Sequence, residues 1–197
     1  MSTWIILGLL VALAAWAIGI YNTLVQLANR YKNAFAQIDV QLKRRNDLIP
    51  NLVETAKAYM AHERGTLDAV TSARAAAVSG LQRAAANPGD PEALKALGAA
   101  EGAMSGALAR LNVAVEAYPD LKASQNMMQL SEELASTENR VAFARQAFND
   151  AVLAYNTCRQ SFPNNLLATR FGHASDAAML EFAEPREQLE AAPKVAF

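Results

Sequence analysis

The sequence predicts an all-α fold: an N-terminal transmembrane helix continuing into a long antiparallel three-to-four-helix bundle. Three observations carry this reading. Residues 4–20 hold no charged side chain. Beyond them, apolar residues recur at alternating steps of three and four, the seam of a packed helix. Strand formers are sparse, alanine is abundant, and most of the nine Gly and seven Pro fall between the periodic segments.

The apolar run has roughly 17 residues, or about 20 with Tyr21 to Thr23, the length needed to cross a bilayer core as a helix. Trp4 and Tyr21 stand at its two ends, where amphipathic rings favour the interface. The other reading is a cleaved signal peptide. No basic residue precedes the run, and no cleavage site with a change of character ends it. An uncleaved anchor over residues 1–22 is therefore expected. Arg30, Lys32 and then Lys43-Arg44-Arg45 follow it, so the positive-inside rule puts the main domain in the cytoplasm, with the periplasm as alternative.

From residue 22 to about residue 86 no strong stop appears. The seam reads Ile38, Leu42, Ile49, Leu52, Ala56, Tyr59, Thr66, Val70, Ala73, with Arg45 and Glu63 also on it. Such residues either lay their stems along the seam or form a buried pair that fixes register. Pro50 lies inside the pattern and predicts a kink or break over 47–50, or a fresh helix capped by Asp47. Asn87-Pro88-Gly89-Asp90-Pro91 is a loop, with Asp90 as N-cap and Pro91 in the first turn of the next helix. That helix runs to about Tyr118, with Leu94, Leu97, Glu101, Met104, Leu108, Leu111 and Val115 on its seam. Gly98, Gly102 and Gly106 share one of its faces and predict a close helix approach. A third helix is expected from about Asp120 to Cys158, its seam including Leu130, Leu134, Thr137, Val141, Phe148, Val152 and Tyr155. Glu138 and Arg140 belong to its charged flanks. Leu166, Leu167, Phe171, Met179, Leu180 and Phe182 are expected to pack back on the bundle, which would occupy residues 23–183. Residues 184–197 read as a disordered tail.

Short turns make neighbouring helices antiparallel. A loop centred near Pro88 pairs residues whose numbers sum to about 175, and a turn near Pro119 gives about 238. Arg74, Glu101 and Glu138 then share a layer, with Arg74 between two carboxylates. On the same geometry, residues 21–55 have an apolar stripe but no partner helix from their own chain. A lone amphipathic helix is unstable in water, so either the tail after Phe162 folds back over the stripe or neighbouring subunits cover it. The second is favoured, and a homo-oligomer with contacts over residues 21–80 is expected.

The chemistry of most enzyme classes is missing. His62-Glu63 begins like a zinc-protease motif, but no second histidine follows four residues on. Two histidines and one cysteine, far apart, offer no zinc set, and no phosphate loop or nucleophile elbow is present. The single Cys158 excludes an internal disulfide framework. A net charge of −1 argues against nucleic acid as a partner. No cofactor and no metal are expected, and the chain is read as a non-enzyme.

Several segments together resemble the LemA family: Tyr21-Asn22-x-Leu24-Val25, the run from Ile38-Asp39-Val40-Gln41 through Arg44-Arg45-Asn46-Asp47-Leu48-Ile49-Pro50 to Val53, and Tyr59-Met60-Ala61-His62-Glu63. Glu116-Ala117-Tyr118-Pro119-Asp120, Thr137-Glu138-Asn139-Arg140, Tyr155-Asn156 and Phe162-Pro163 extend the resemblance to about residue 183. Asn46 stands where an aromatic residue is expected. The resemblance implies a membrane helix followed by an antiparallel bundle, no established catalytic activity, and relatives linked to membrane organisation, including magnetosome membranes. The expected partners are the lipid bilayer, further copies of the chain and, on an adaptor reading, another membrane protein. Two functions follow: a scaffold of the bacterial inner membrane built by self-association, or a tethered adaptor that presents its bundle to a membrane protease or other partner.

Overall fold

A computed structural model describes residues 2–60 and 62–182. Its helices are α1 (Ser2–Lys57), α2 (Arg64–Ala86), α3 (Pro91–Val115), α4 (Pro119–Lys122), α5 (Gln125–Gln160) and α6 (Asn165–Ala168). A 3-10 turn (Thr169–Phe171) follows. No strand occurs among the described residues. The expected tail over 184–197 lies outside them.

α1 has two halves of different character. Up to residue 19 its large apolar side chains all point outward, from Trp16 at 46% exposed to Trp4 at 77%. Burial begins at Ile20 and continues through Leu24, Ala28, Tyr31, Phe35, Ile38 and Leu42 at helical spacing. The expected boundary between anchor and bundle at residues 22–23 therefore falls inside one uninterrupted helix.

That helix also runs through Pro50, so the expected break over 47–50 is absent. The chain turns instead at residues 58–63, where Tyr59 and Met60 both donate backbone hydrogen bonds to the Ala56 carbonyl. No Gly or Pro marks this corner. Turning there buries Met60 completely and lays Leu67, Val70 and Ala77 of α2 against the upper part of α1. α2 and α3 then pair through the expected loop, with the Asp90 side chain accepting from Ala93 N at 2.7 Å and Pro91 in the first turn. The expected third helix is two elements, the single turn α4 and the long α5.

α5 lies antiparallel along α1. Phe148 packs on Phe35 with ring centroids 5.6 Å apart, and Tyr155 packs on Tyr31 at 5.3 Å. The C-terminal end of α5 is therefore level with residues 20–24, and its N-terminal end with the corner at 58–63. This overturns the expectation that residues 21–55 lack a partner from their own chain. Their stripe is covered by α5, α2 and the extended segment 173–182. The reason is the corner: it folds the α2–α3 hairpin back along α1, and α5 then runs along α1 beside it.

Segment 173–182 packs Ala177 and Leu180 into the core, with Leu167, Phe171 and Phe182 partly buried against the same cluster. Leu166 and Met179, expected to pack inward, are exposed.

Candidate functional site

The buried residues form two apolar clusters. The lower, from Ile20 to Leu42 on α1, takes in Leu97, Val141, Phe148 and Leu180. The upper, from Ile49 to Met60, takes in Leu67, Met104, Leu111 and Met127. Between them lie the buried polar side chains Arg45, Asn46, Glu101 and Thr137. Arg45 and Glu101 form an ion pair, their side chains only 4% and 1% exposed. Burial works against the Arg45 charge and lowers its pKa, while the carboxylate of Glu138 acts in the opposite sense. Arg45 Nε, Glu101 Oε1 and both amide atoms of Asn46 are buried without a hydrogen-bond partner.

Arg74 does not reach between two carboxylates, as the pairing arithmetic predicts. Its Nε donates to the Asn46 carbonyl at 2.6 Å. The reason lies four residues on. An α-helix would satisfy that carbonyl with the N–H of residue 50, but Pro50 has none. Arg74 supplies the missing donor from α2, which explains how α1 passes Pro50 without breaking. Arg45 takes the place on Glu101 because the corner at 58–63 folds α2 back along α1, which brings α1 to the same layer and turns Arg74 towards Asn46.

The other residues singled out from sequence divide plainly. Arg44, Asp47, Arg140 and Glu138 are exposed, and Glu63 is half-buried at the start of α2, with no side-chain capping bond. The glycine face does not receive a helix at Gly98 or Gly106. A Cβ at Gly98 would overlap the Glu181 carbonyl of the extended segment, and one at Gly106 would meet open space. Gly102 is half-buried. The close helix contact is at Gly80, where a Cβ would lie 3.3 Å from Leu97 Cα.

Sequence reasoning missed the residues that hold segment 173–182 in place. Asn149 and Asn156 lie seven apart on α5, two turns along one face. The Asn156 amide donates to the Ala177 carbonyl and accepts from Ala177 N, both at 2.9 Å. Asn149 does the same at Leu180, at 3.1 and 2.9 Å. Each side chain thus satisfies one donor and one acceptor of an extended backbone, as a neighbouring strand would. Asparagine is a poor helix former, so two at this spacing on a core helix were the available signal. Tyr155 Oη lies 3.0 Å from His173 Nδ1. Burial and the nearby Lys32 lower the His173 pKa, and burial raises those of Tyr31 and Tyr155.

These groups lock packing. Among the described residues, no three of His, Cys, Asp or Glu are placed to hold a metal ion. An ion-paired polar layer inside a self-covering bundle, grown on a helix apolar enough to cross a membrane, defines a membrane-associated helical-bundle protein. The chain belongs to the LemA family, whose model matches residues 34–197. The magnetosome proteins MamQ 1 and MamQ 2 of Paramagnetospirillum magneticum are each 28% identical to it over 163 residues, covering 75% of this chain and 60% of theirs. Protein LemA of Metamycoplasma hominis is 27% identical over 154 residues, covering 78% of this chain and 65% of its own. The chain therefore spans less than two thirds of the length of these relatives.

Proposed function

We propose that this is a non-enzymatic, single-pass protein of the bacterial inner membrane that acts as a rigid post, its bundle standing in the cytoplasm and organising the bilayer beneath it. The observation that carries this is the continuity of α1. The helix that is apolar enough to cross the membrane is also the central helix of the bundle, with no loop between the two roles. A flexible linker would suffice for simple tethering. An unbroken helix instead couples the orientation of the bundle to that of its span. Lateral association of such posts would hold neighbouring spans at a set angle and so shape or stiffen the membrane.

Because residues 21–55 are covered within the chain, association must use the outer surface. Phe143, on α5, is 74% exposed and is the aromatic side chain best placed to meet a second copy. Mass photometry of the full chain in native nanodiscs tests this, with electron microscopy of vesicles that carry it. The expected result is a defined oligomer that Phe143→Glu dissociates, with altered vesicle shape. A monomer at all concentrations, on unaltered vesicles, would contradict self-association.

The adaptor reading stands second, and one observation favours it. Tyr59 of the corner, Val113 of α3 and Met128 of α5 lie at the end of the bundle farthest from the span and are all exposed. A reporter active on only one side of the membrane, fused to the C-terminus, tests the cytoplasmic orientation.

A further inference from the structure

We propose that the bundle makes a second contact with the membrane: its base, formed by the turn between α5 and the extended segment, sits in the lipid headgroup zone. This rests on reading α1 as the membrane span.

The heights of the groups carry the argument. A hydrocarbon core of about 30 Å takes about 20 helical residues, so a span that starts at Trp4 ends near residue 23. The antiparallel pairing of α1 and α5 puts residues 160–163 at that same level. The chain there makes a short cap, α6 and the 3-10 turn, whose two sides differ. Leu167, Ala168 and Phe171 face the bundle, and Phe171 packs edge-on against Tyr21 at 5.4 Å. Phe162 and Leu166 face away, 80% and 65% exposed. Phe162 is thus the most exposed large apolar side chain among the described residues, and it lies level with the end of the span. A large aromatic ring held at the height of the boundary, beside Tyr21, is placed as interfacial aromatics are.

Charge points to the same occupant. No Asp or Glu occurs in residues 1–38 or 151–175. These two stretches carry Arg30, Lys32, Arg159 and Arg170, with Arg30, Lys32 and Arg170 exposed. Arg159 is held by Asp176, with its Nε 2.7 Å from Oδ1. The first acid on α1 is Asp39, about 28 Å along the helix from Ile20. Lys32 shares a hollow with the carboxylates of Asp90 and Asp176, which leaves Arg30 and Arg170 as the exposed cations clear of them. The base is apolar at its rim with these two arginines beside it, which fits a bilayer containing anionic phospholipid. A span alone leaves a bundle free to tilt about its exit point. A second contact, offset from the helix axis, fixes both tilt and rotation.

Probe fluorescence in vesicles tests this. The full chain, with Cys158→Ser, receives single cysteines by Phe162→Cys, Leu166→Cys, Leu10→Cys or Val113→Cys. Each carries an environment-sensitive nitrobenzoxadiazole label and is reconstituted into phosphatidylcholine–phosphatidylglycerol vesicles. The expected result is blue-shifted emission at positions 162 and 166, quenched by headgroup-level nitroxide lipids and shielded from iodide. The label at 113, at the far end, should be open to iodide. Labels at 162 and 166 that iodide reaches, while the label at 10 is quenched by acyl-chain nitroxides, would overturn the base contact and leave the span intact. A label at 10 that no lipid quencher reaches would overturn both. Blue-shifted labels at 162 and 166 that neither quencher reaches would mean a protein covers the base, and would also overturn the proposal.

Discussion

Pro50 lacks the amide hydrogen that the Asn46 carbonyl needs, and Arg74 of α2 supplies a replacement at 2.6 Å. A proline that should break α1 thereby becomes the point where α1 and α2 are tied together. Arg74→Met should destabilise the bundle by about 1–3 kcal/mol, the cost of a buried polar group left unpaired. In a Pro50→Ala background the residue 50 amide satisfies that carbonyl, and the same substitution should cost much less. Urea unfolding of the four proteins in detergent, read as a double-mutant cycle, checks the coupling. The Arg45–Glu101 pair makes a second residue-scale prediction. Arg45→Met strands a buried carboxylate and should cost about 3–5 kcal/mol, whereas Arg45→Met with Glu101→Leu should recover most of that loss or exceed the parent. Equal losses in the single and double variants, measured by thermal unfolding, would contradict this account of the layer. Glu101 was legible in sequence as a seam residue of its helix. The identity of its arginine partner was not, because which cation arrives depends on where the chain turns.

At the scale of elements, the turns rich in Pro, Gly and Asp were readable and the corner at 58–63 was not. It has no local breaker. The chain turns there because a turn buries Met60 and gives α2 a face on α1, which is a tertiary gain that local propensity does not register. The glycine face was misread for a related reason. Gly98 accommodates a close approach, but by extended backbone at Glu181 and not by a helix. That segment depends on its two asparagines. Asn149→Leu or Asn156→Leu removes both partners of a backbone amide and carbonyl, and each should cost about 1–3 kcal/mol. The expected sign is faster cleavage of residues 173–182 by a protease, with the helices intact by circular dichroism. His173 gives the same segment a pH dependence. Its folded pKa lies below the ordinary 6.5, so the unfolded chain binds the proton first. Stability is full above about pH 6.5, falls as the pH drops below it, and levels off under the folded value. Melting at pH 8 should therefore exceed that at pH 5, and His173→Gln should reduce the difference.

For the whole molecule, the sequence announced an apolar span, a helical bundle and a stripe in need of cover. What it left open was who supplies the cover. The apparent shortage of partner helices came from treating residues 22–86 as one rod. With the rod folded at 58–63, α5 is long enough to sheathe α1 from Leu24 to the corner, and the extended segment closes the remaining edge. The consequence is functional. A bundle that satisfies itself does not require neighbours to fold, so assembly on the membrane, if it shapes the bilayer, is an act of its outer surface. The unbroken α1 then sets the direction in which that surface faces.

Hydrogen exchange of the full chain in lipid nanodiscs tests the continuity of α1 most directly, through the amides of residues 18–30. A rigid junction gives slow exchange across the whole interval, with no fast position between the span and the first buried turn. Rapid exchange at residues 21–24, between protected flanks, would show a hinge there and would contradict a bundle fixed rigidly to its membrane helix.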